Sequence, residues 1–200
     1  MSRPAIDMKI VSGKDLLPNI ADLARLRIEI FRQFPYLYDG NQAYEEKYLQ
    51  TYSSAGSAMA ILAIDRDSGL IVGASTGIPM QHETEEFKQP VIDRGFDPAG
   101  VFYCGESVLL EQYRGLGLYR HFMEGREKYA GSLGLKMCCF CAVVRPGDHP
   151  QRPLGYQPLD AVWKHFGYRP DPSLVTYYSW KDIDQAVETQ HQMMFWLKSL

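Results

Sequence analysis

The sequence predicts a mixed α/β fold of the α+β kind, organised as one domain over residues 1–200, and three observations carry the prediction. Apolar residues switch repeatedly between helical and strand spacing, a strong strand runs into a glycine-bearing turn that opens a helix, and no internal repeat, low-complexity tract or Gly/Ser-rich linker divides the chain. A chain of 200 residues can bury one sizeable core, and 46% hydrophobic with 22% charged residues is the composition of a folded globular protein.

Met8 to Val11 reads as a first strand. Leu16, Ile20, Leu23, Leu26, Ile30 and Phe34 then recur at helical spacing until Pro35 ends the pattern. Tyr36 to Gly40 is an aromatic-rich turn, and a second helix covers Gln42 to Tyr52. Ala58 to Ile64 and Leu70 to Ile78 are strand-like runs joined by a hairpin connection at Asp65 to Gly69. Gln81 to Gly100 is a polar excursion with a helical piece near Glu83 to Phe87, and Val101 to Leu110 is a strong strand. Beyond the glycine turn, Leu118, Phe122, Gly125, Tyr129 and Leu133 form one helical stripe that Gly134 is placed to end. Lys136 to Val144 is nearly continuous in apolar residues, as a strand buried on both faces is. A proline-rich loop, a short helix over Leu159 to Phe166 and two strands, Leu174 to Trp180 and Gln192 to Leu197, complete the chain. The apolar Met193 to Leu197 run is a candidate homodimer surface.

A net charge of -3, with Lys and Arg scattered among Asp and Glu, offers no basic face, so nucleic acid is not an expected partner. Met1 to Asp7 has no apolar leader, and no uncharged stretch approaches the roughly 18 residues of a membrane helix; no membrane partner and a cytoplasmic location are expected. Cys138, Cys139 and Cys141 crowd one run, which suits reduced thiols better than a disulfide framework. Strand alternation sends Cys138 to one face and Cys139 and Cys141 to the other, without zinc-type spacing, so these are expected as small core residues and no metal is expected.

The chemistry points to Gln112-Tyr113-Arg114-Gly115-Leu116-Gly117. A strand that ends in such a turn and opens a helix gathers unpaired N–H groups, backed by about half a unit of positive charge from the helix dipole. Gly115 and Gly117 let a phosphate approach the backbone closely, and Arg114 or Arg120 can add positive charge. A dinucleotide fingerprint needs a third glycine where Arg120 stands, and a P-loop needs Gly-Lys-Ser/Thr, which is absent. What remains resembles the acyl-CoA loop of the GNAT superfamily, Gln/Arg-x-x-Gly-x-Gly/Ala between the fourth strand and third helix, with Gln112, Gly115 and Gly117 in those places. Glu106 to Gly115 looks like the strand-and-turn segment of these enzymes, and Lys136 to Val144 resembles their fifth strand.

The resemblance implies a GNAT acyl-CoA N-acyltransferase fold, a mixed central sheet of about seven strands with flanking helices, splayed between strands 4 and 5. It implies acetyl-CoA as cosubstrate and an N-acetyltransferase that acts on a primary amine of a small molecule. It assigns the backbone of Val108 and Leu110 to the pantetheine arm, and the amides of Arg114, Gly115, Leu116, Gly117, Leu118 and Tyr119, introduced by Gln112, to the pyrophosphate.

An alkylamine has a reference pKa of about 10.4, so freeing its lone pair at pH 7 costs about 4–5 kcal/mol and a general base is useful. Glu106 is the candidate: on a strand through Phe102, Cys104, Glu106, Val108 and Leu110 it is the only ionisable residue of its face, and burial raises a carboxyl toward the working range. The alternative is that Glu106 points to solvent or pairs with an arginine. The Val108 N–H is the candidate oxyanion donor. Where the family pattern places a helix-borne Tyr, Trp163 stands, and an indole N–H is not a practical acid; Tyr156 or His149 in the neighbouring loop is the candidate replacement. Phe34 to Asp39 falls where the family builds the acceptor wall, which makes Tyr36, Tyr38 and Asp39, with His149, candidate substrate contacts, simple loop packing being the alternative. His82, Glu83, Glu85 and Glu86 suit either a cationic amine or a solvated helix face, whereas Arg145, Asp148, His149 and Arg152 suit an acidic group. Two other functions stay open: a GNAT-shaped module that holds acyl-CoA without turnover, and a different phosphate binder.

Overall fold

The computed structural model describes residues 4–200, so Met1 to Arg3 of the N-terminal reading lie outside the described residues. Strands β1 (Ile6–Ser12), β2 (Met59–Asp65) and β3 (Ile71–Pro79) pair antiparallel in sequence order, with α1 (Ile20–Phe31) and α2 (Gln42–Ser54) between the first two. After α3 (Glu85–Asp93) come β4 (Val101–Tyr103), β5 (Ser107–Leu109), α4 (Leu118–Ser132), β6 (Met137–Val143), α5 (Asp160–His165), β7 (Arg169–Trp180) and β8 (Thr189–Ser199). They build an 8-stranded sheet in the order β1-β2-β3-β4-β6-β8-β7, with β5 paired to β3. Every pairing is antiparallel except β4 with β6. Among the described residues, no helix is long and apolar enough to cross a membrane.

The pleat of the sheet sorts the core into two layers. On one face Leu23, Leu26, Leu49 and Tyr52 from α1 and α2 meet Ala60, Leu62, Tyr103, Cys139 and Phe195. On the other, Leu118, Phe122, Met123 and Ala130 of α4 meet Ile61, Phe102, Cys138 and Trp196. Each such apolar side chain taken fully out of water stabilises the fold by about 1.5–3 kcal/mol. Gly125 sits on the packed stripe: a Cβ there would lie 2.5 Å from Cδ1 of Ile61, so a larger residue would force that side chain to repack. The four cysteines are free and buried, and Cys138 faces the α4 layer while Cys139 and Cys141 face the other, as strand alternation requires.

Four differences from the sequence reading have local causes. The helix expected from Leu16 starts at Ile20, because Gly13–Asn19 is wound as a tighter 3-10 segment containing Pro18. The predicted fourth strand is split into β4 and β5, which raises the strand count from about seven to 8. The closing strand β8 is not an edge: it lies between β6 and β7, and Met193, Phe195 and Trp196 are buried in the chain's own core. Its apolar residues are therefore not a dimer surface. β7, at the end of the sheet, starts five residues before the predicted Leu174, and Pro170 and Pro172 are accommodated there because an outer strand has an unpaired side.

Candidate active site

The break between β4 and β5 creates the site. Ile78 faces Tyr103 and Ser75 faces Ser107, so the strand carries one residue more than β3 over this interval. Gly105 N–H donates to Thr76 O at 3.2 Å while Thr76 N–H donates to Glu106 O at 3.0 Å, which makes Gly105-Glu106 a β-bulge opposite Thr76. Two consequences follow. The side-chain alternation slips, so Phe102 and Cys104 face the α4 layer whereas Glu106 and Val108 face the α1 layer. The expected single face through Phe102, Cys104 and Glu106 is thereby corrected, and Glu106 shares its face with the Tyr103 phenol.

The second consequence is an opening. β6 stays beside the strand only as far as the bond from Cys104 N–H to Cys139 O, 2.7 Å, after which β5 pairs with β3 and Phe140 to Val143 pair with β8. The sheet therefore splays where expected, between the predicted fourth and fifth strands. Leu110 N–H donates to Val72 O at 3.0 Å, so by alternation Val108 and Leu110 turn their backbone groups to β3, and Ser107 and Leu109 turn theirs to the gap. The gap-facing backbone is therefore that of Ser107 and Leu109, where the resemblance implied Val108 and Leu110. On that side the Leu109 carbonyl accepts from Nε of Arg114 at 3.3 Å.

The strand ends in a tight turn over Glu111–Tyr113, and α4 begins at Leu118 with Gly117 as its N-cap. Gly115 and Gly117 have φ of 76° and 81°, the left-handed region that favours glycine, and a Cβ on either would meet nothing within 4 Å. The amides of Gly115, Leu116, Gly117, Leu118 and Tyr119 have no partner among the described residues. They form a nest of donors at the positive end of a 15-residue helix. The Arg114 amide is not part of it, since it donates to Glu111 O at 3.0 Å. Its side chain folds back to Leu109 and, at 3.2 Å, to Oε1 of Gln33, while Gln112 is exposed.

On the α4 side, a cavity of about 310 Å³ runs along the gap, bordered by Gly105 to Ser107, Tyr119, Arg126, Tyr156 and Trp163. Nε1 of Trp163 donates to the Tyr119 hydroxyl at 2.9 Å, which leaves the phenolic proton free to be given elsewhere. Burial raises the Tyr119 pKa, against the pull of Arg126 and of the Trp163 bond. Arg126 is buried and donates to Glu106 O at 3.2 Å, with its Nε unpartnered. Tyr156 packs edge-on to Phe34 at 4.7 Å between ring centres, and burial raises its pKa too.

On the α1 side, a second cavity of about 330 Å³ is lined by Arg27, Tyr36, Tyr38, Glu45, Glu106 and Trp180, among others. The two cavities share Phe31, Tyr36, Gly105, Glu106 and Cys141, so they meet across the sheet at the bulge. Glu106 is the one carboxylate bordering both. Its side chain is 2% exposed and is ion-paired with Arg27, which also holds Glu45 at 2.5 Å. Burial raises the Glu106 pKa and the Arg27 guanidinium opposes the rise. Behind them Glu83 accepts from the Tyr52 hydroxyl at 2.6 Å, and burial lifts its pKa as well. Glu83 is thus buried in the interior behind the cavity and is not on a solvated helix face.

Tyr36 and Tyr38 line the α1-side cavity, and Tyr36 reaches both. Asp39 is at the mouth, tied to Lys181 at 2.7 Å and to Arg32 at 3.1 Å, which hold its carboxyl below the usual range. His149 borders neither cavity; its ring lies 5.6 Å from that of Phe34. Arg145 is buried against Asp182 at 2.9 Å and against the carbonyls of Pro35 and Tyr36, so it is a tie for the wall loop and not a receptor for an acidic ligand. Among the described residues, no group of three or more His, Cys, Asp or Glu is arranged to hold a metal ion. The sequence reading missed Arg27, Glu45, Arg126 and the Tyr119 hydroxyl. Two of them carried a signal: Arg27 interrupts the apolar series Leu23, Arg27, Phe31, and Arg126 the series Phe122, Arg126, Ala130, so each charge falls on the buried stripe of its helix.

A splayed sheet with an amide nest at its edge defines a class, and comparison with solved structures agrees: the chain has the fold of the GNAT acetyltransferases. It is similar to ribosomal-protein-alanine N-acetyltransferase from Brucella melitensis, with a TM-score of 0.61 and 11% identity over 97% of this chain and 99% of that one. It is similar to Arabidopsis thaliana NAA60 in complex with a bisubstrate analogue, with a TM-score of 0.60 and 14% identity over 98% and 99% of the two chains. A third likeness is to yncA of Salmonella typhimurium, a provisionally assigned acetyltransferase solved with acetyl-CoA, with a TM-score of 0.57 and 9% identity over 96% and 94%. No protein-family model and no curated protein matches the sequence.

Proposed function

We propose that residues 1–200 act as one GNAT acyltransferase domain that moves an acetyl group from acetyl-CoA to a primary amine of a small molecule by direct attack. The observation that carries this reading is the meeting of two cavities, one from each face of the sheet, at Glu106. The open glycines and the free amides from Gly115 to Tyr119 suit a diphosphate, and the gap-facing backbone of Ser107 and Leu109 suits a pantetheine lying along β5. An ammonium entering the α1-side cavity gives a proton to Glu106, whose raised pKa fits it for that exchange. The freed nitrogen attacks the thioester carbonyl, and the gap-facing Ser107 N–H is the strand donor available to its oxygen. As the C–S bond breaks, the nitrogen releases its second proton to solvent and the thiolate takes a proton from a neighbouring phenol. Tyr119 is a better-held donor than Tyr156, the one expected from the sequence, because Trp163 fixes the Tyr119 oxygen.

The rival, an acyl-CoA-binding module without turnover, draws on the ion pair that ties Glu106 to Arg27. Calorimetric titration with acetyl-CoA followed by thiol release across an amine panel separates the two, with Glu106→Gln beside the parent. The expected result is unchanged acetyl-CoA binding and a kcat lowered by about 10²–10⁴ in the variant. Binding of acetyl-CoA with no amine acetylated leaves the rival standing. A thermal shift with NAD or ATP and none with CoA points to another phosphate binder.

A further inference from the structure

The α1-side cavity has a composition that selects among amines. Its floor gathers Glu45 and Glu106 around one guanidinium, Arg27, with Glu83 behind Tyr52, so carboxylates outnumber the cation that serves them. Oε2 of Glu106 is taken by Arg27, and Oε1 is buried beside the Thr76 hydroxyl, which has no other partner among the described residues. A carboxylate offers about four acceptor sites, so Glu106 keeps capacity for a donor from a ligand beyond Arg27 and Thr76. Above the floor the walls are aromatic: Tyr36, Tyr44, Tyr48, Phe87, Tyr178 and Trp180. Neither cation of the lining is free, since Arg27 holds Glu45 at 2.5 Å and Lys181 holds Asp39 at 2.7 Å. A substrate carboxylate would find no counterion and would enter an already anionic space, whereas an ammonium meets Glu106 and ring faces that favour cations. The rim adds Glu188, exposed and without an ion pair among the described residues. At about 330 Å³ the space falls at the small end of ligand cavities, enough for one ring and a short arm.

We infer that the acceptor is a hydrophobic primary monoamine, an ammonium on a short arm attached to an uncharged aromatic body, and not an amino acid, a polyamine or a peptide N-terminus. The inference rests on the acyl-transfer reading for its chemistry but not for its binding. The matched pair of phenethylamine and phenylalanine, which differ by one carboxylate, tests it beside spermidine and a neutral tetrapeptide. With acetyl-CoA in excess, kcat/KM for phenethylamine is expected to exceed each of the others by at least about 100-fold, because the others bring an unpaired charge or a bulky chain into the cavity. Tyr44→Ala, a truncation at a residue 50% exposed, is expected to raise the phenethylamine KM about tenfold and leave that of acetyl-CoA unchanged. Equal or better turnover of phenylalanine, spermidine or the peptide overturns the inference and leaves acyl transfer intact. Calorimetry with phenethylamine alone gives the arm independent of turnover. Saturable binding weakened by Tyr44→Ala supports the inference even if acetyl-CoA fails to bind, and neither binding nor turnover of phenethylamine overturns it even if acetyl-CoA does bind.

Discussion

Arg27→Met takes a guanidinium out of a place where its partners have no access to water. The Arg27 side chain is 13% exposed, that of Glu45 is 1% and that of Glu106 is 2%. Removing one member of a buried ion pair leaves the other charge uncompensated, which costs about 3–5 kcal/mol, and methionine fills the volume so that little of the loss is a cavity effect. For a domain of this size the midpoint of thermal unfolding should fall by roughly 6–20 °C. The loss should depend on pH. Burial already raises the Glu106 pKa and Arg27 opposes the rise, so without Arg27 it goes higher. Between the unfolded carboxyl value of about 4.3 and that raised value the folded state binds the proton more tightly, and stability therefore falls as pH rises. The deficit of the variant against the parent should be larger at pH 8 than at pH 5, and Arg27→Met combined with Glu106→Gln should recover part of it. Calorimetric scans of parent, single and double variants at the two pH values decide the matter. A deficit under about 1 kcal/mol, or one equal at both pH values, refutes the picture of a buried cation balancing buried carboxylates.

In the parent, the acidic limb of kcat/KM should lie at a pH above the ordinary carboxylate range, and Glu106→Gln should abolish that limb as well as lowering the rate; a limb unchanged in the variant assigns the titration to another group. Gly117→Ala should cost roughly 1–2 kcal/mol in thermal stability, because φ of 81° is strained for any side chain, and should raise KM for acetyl-CoA by crowding the amide nest; an unaltered KM removes Gly117 from the nest. Tyr119→Phe should lower kcat more than Tyr156→Phe does, with acetyl-CoA binding retained, and rates measured with both variants would show the reverse order if Tyr156 is the donor.

Periodicity and the glycine turn made the element order and the open amides legible, because each depends on local spacing, whereas the splay was an expectation of the family resemblance. Gly105 inside a strong strand run was a readable sign of a bulge, since glycine in mid-strand weakens pairing and marks irregularity. Without it, alternation placed Glu106 and Val108 on the face of Phe102 and Cys104, and the family resemblance placed the backbone of Val108 and Leu110 in the gap. Glu83 read as solvated because its neighbours Glu85 and Glu86 are, yet the Tyr52 hydroxyl, 31 residues away, fixes it in the interior. Trp163 and Tyr119 lie 44 residues apart, and nothing in local pattern joins an indole to a phenol across that distance. His149 and Arg145 read as site residues for their chemistry, but the loop that carries them is secured to Phe34, Pro35 and Tyr36.

The central claim is that acyl donor and amine reach Glu106 from opposite faces through cavities that meet at the bulge. A conjugate in which phenethylamine is joined to the CoA sulfur through an acetyl bridge spans both cavities at once. Measured by calorimetry and by inhibition, it should bind at least about 100-fold more tightly than CoA and compete with both acetyl-CoA and the amine. An affinity no better than that of CoA, with the amine still binding in its presence, would contradict the account.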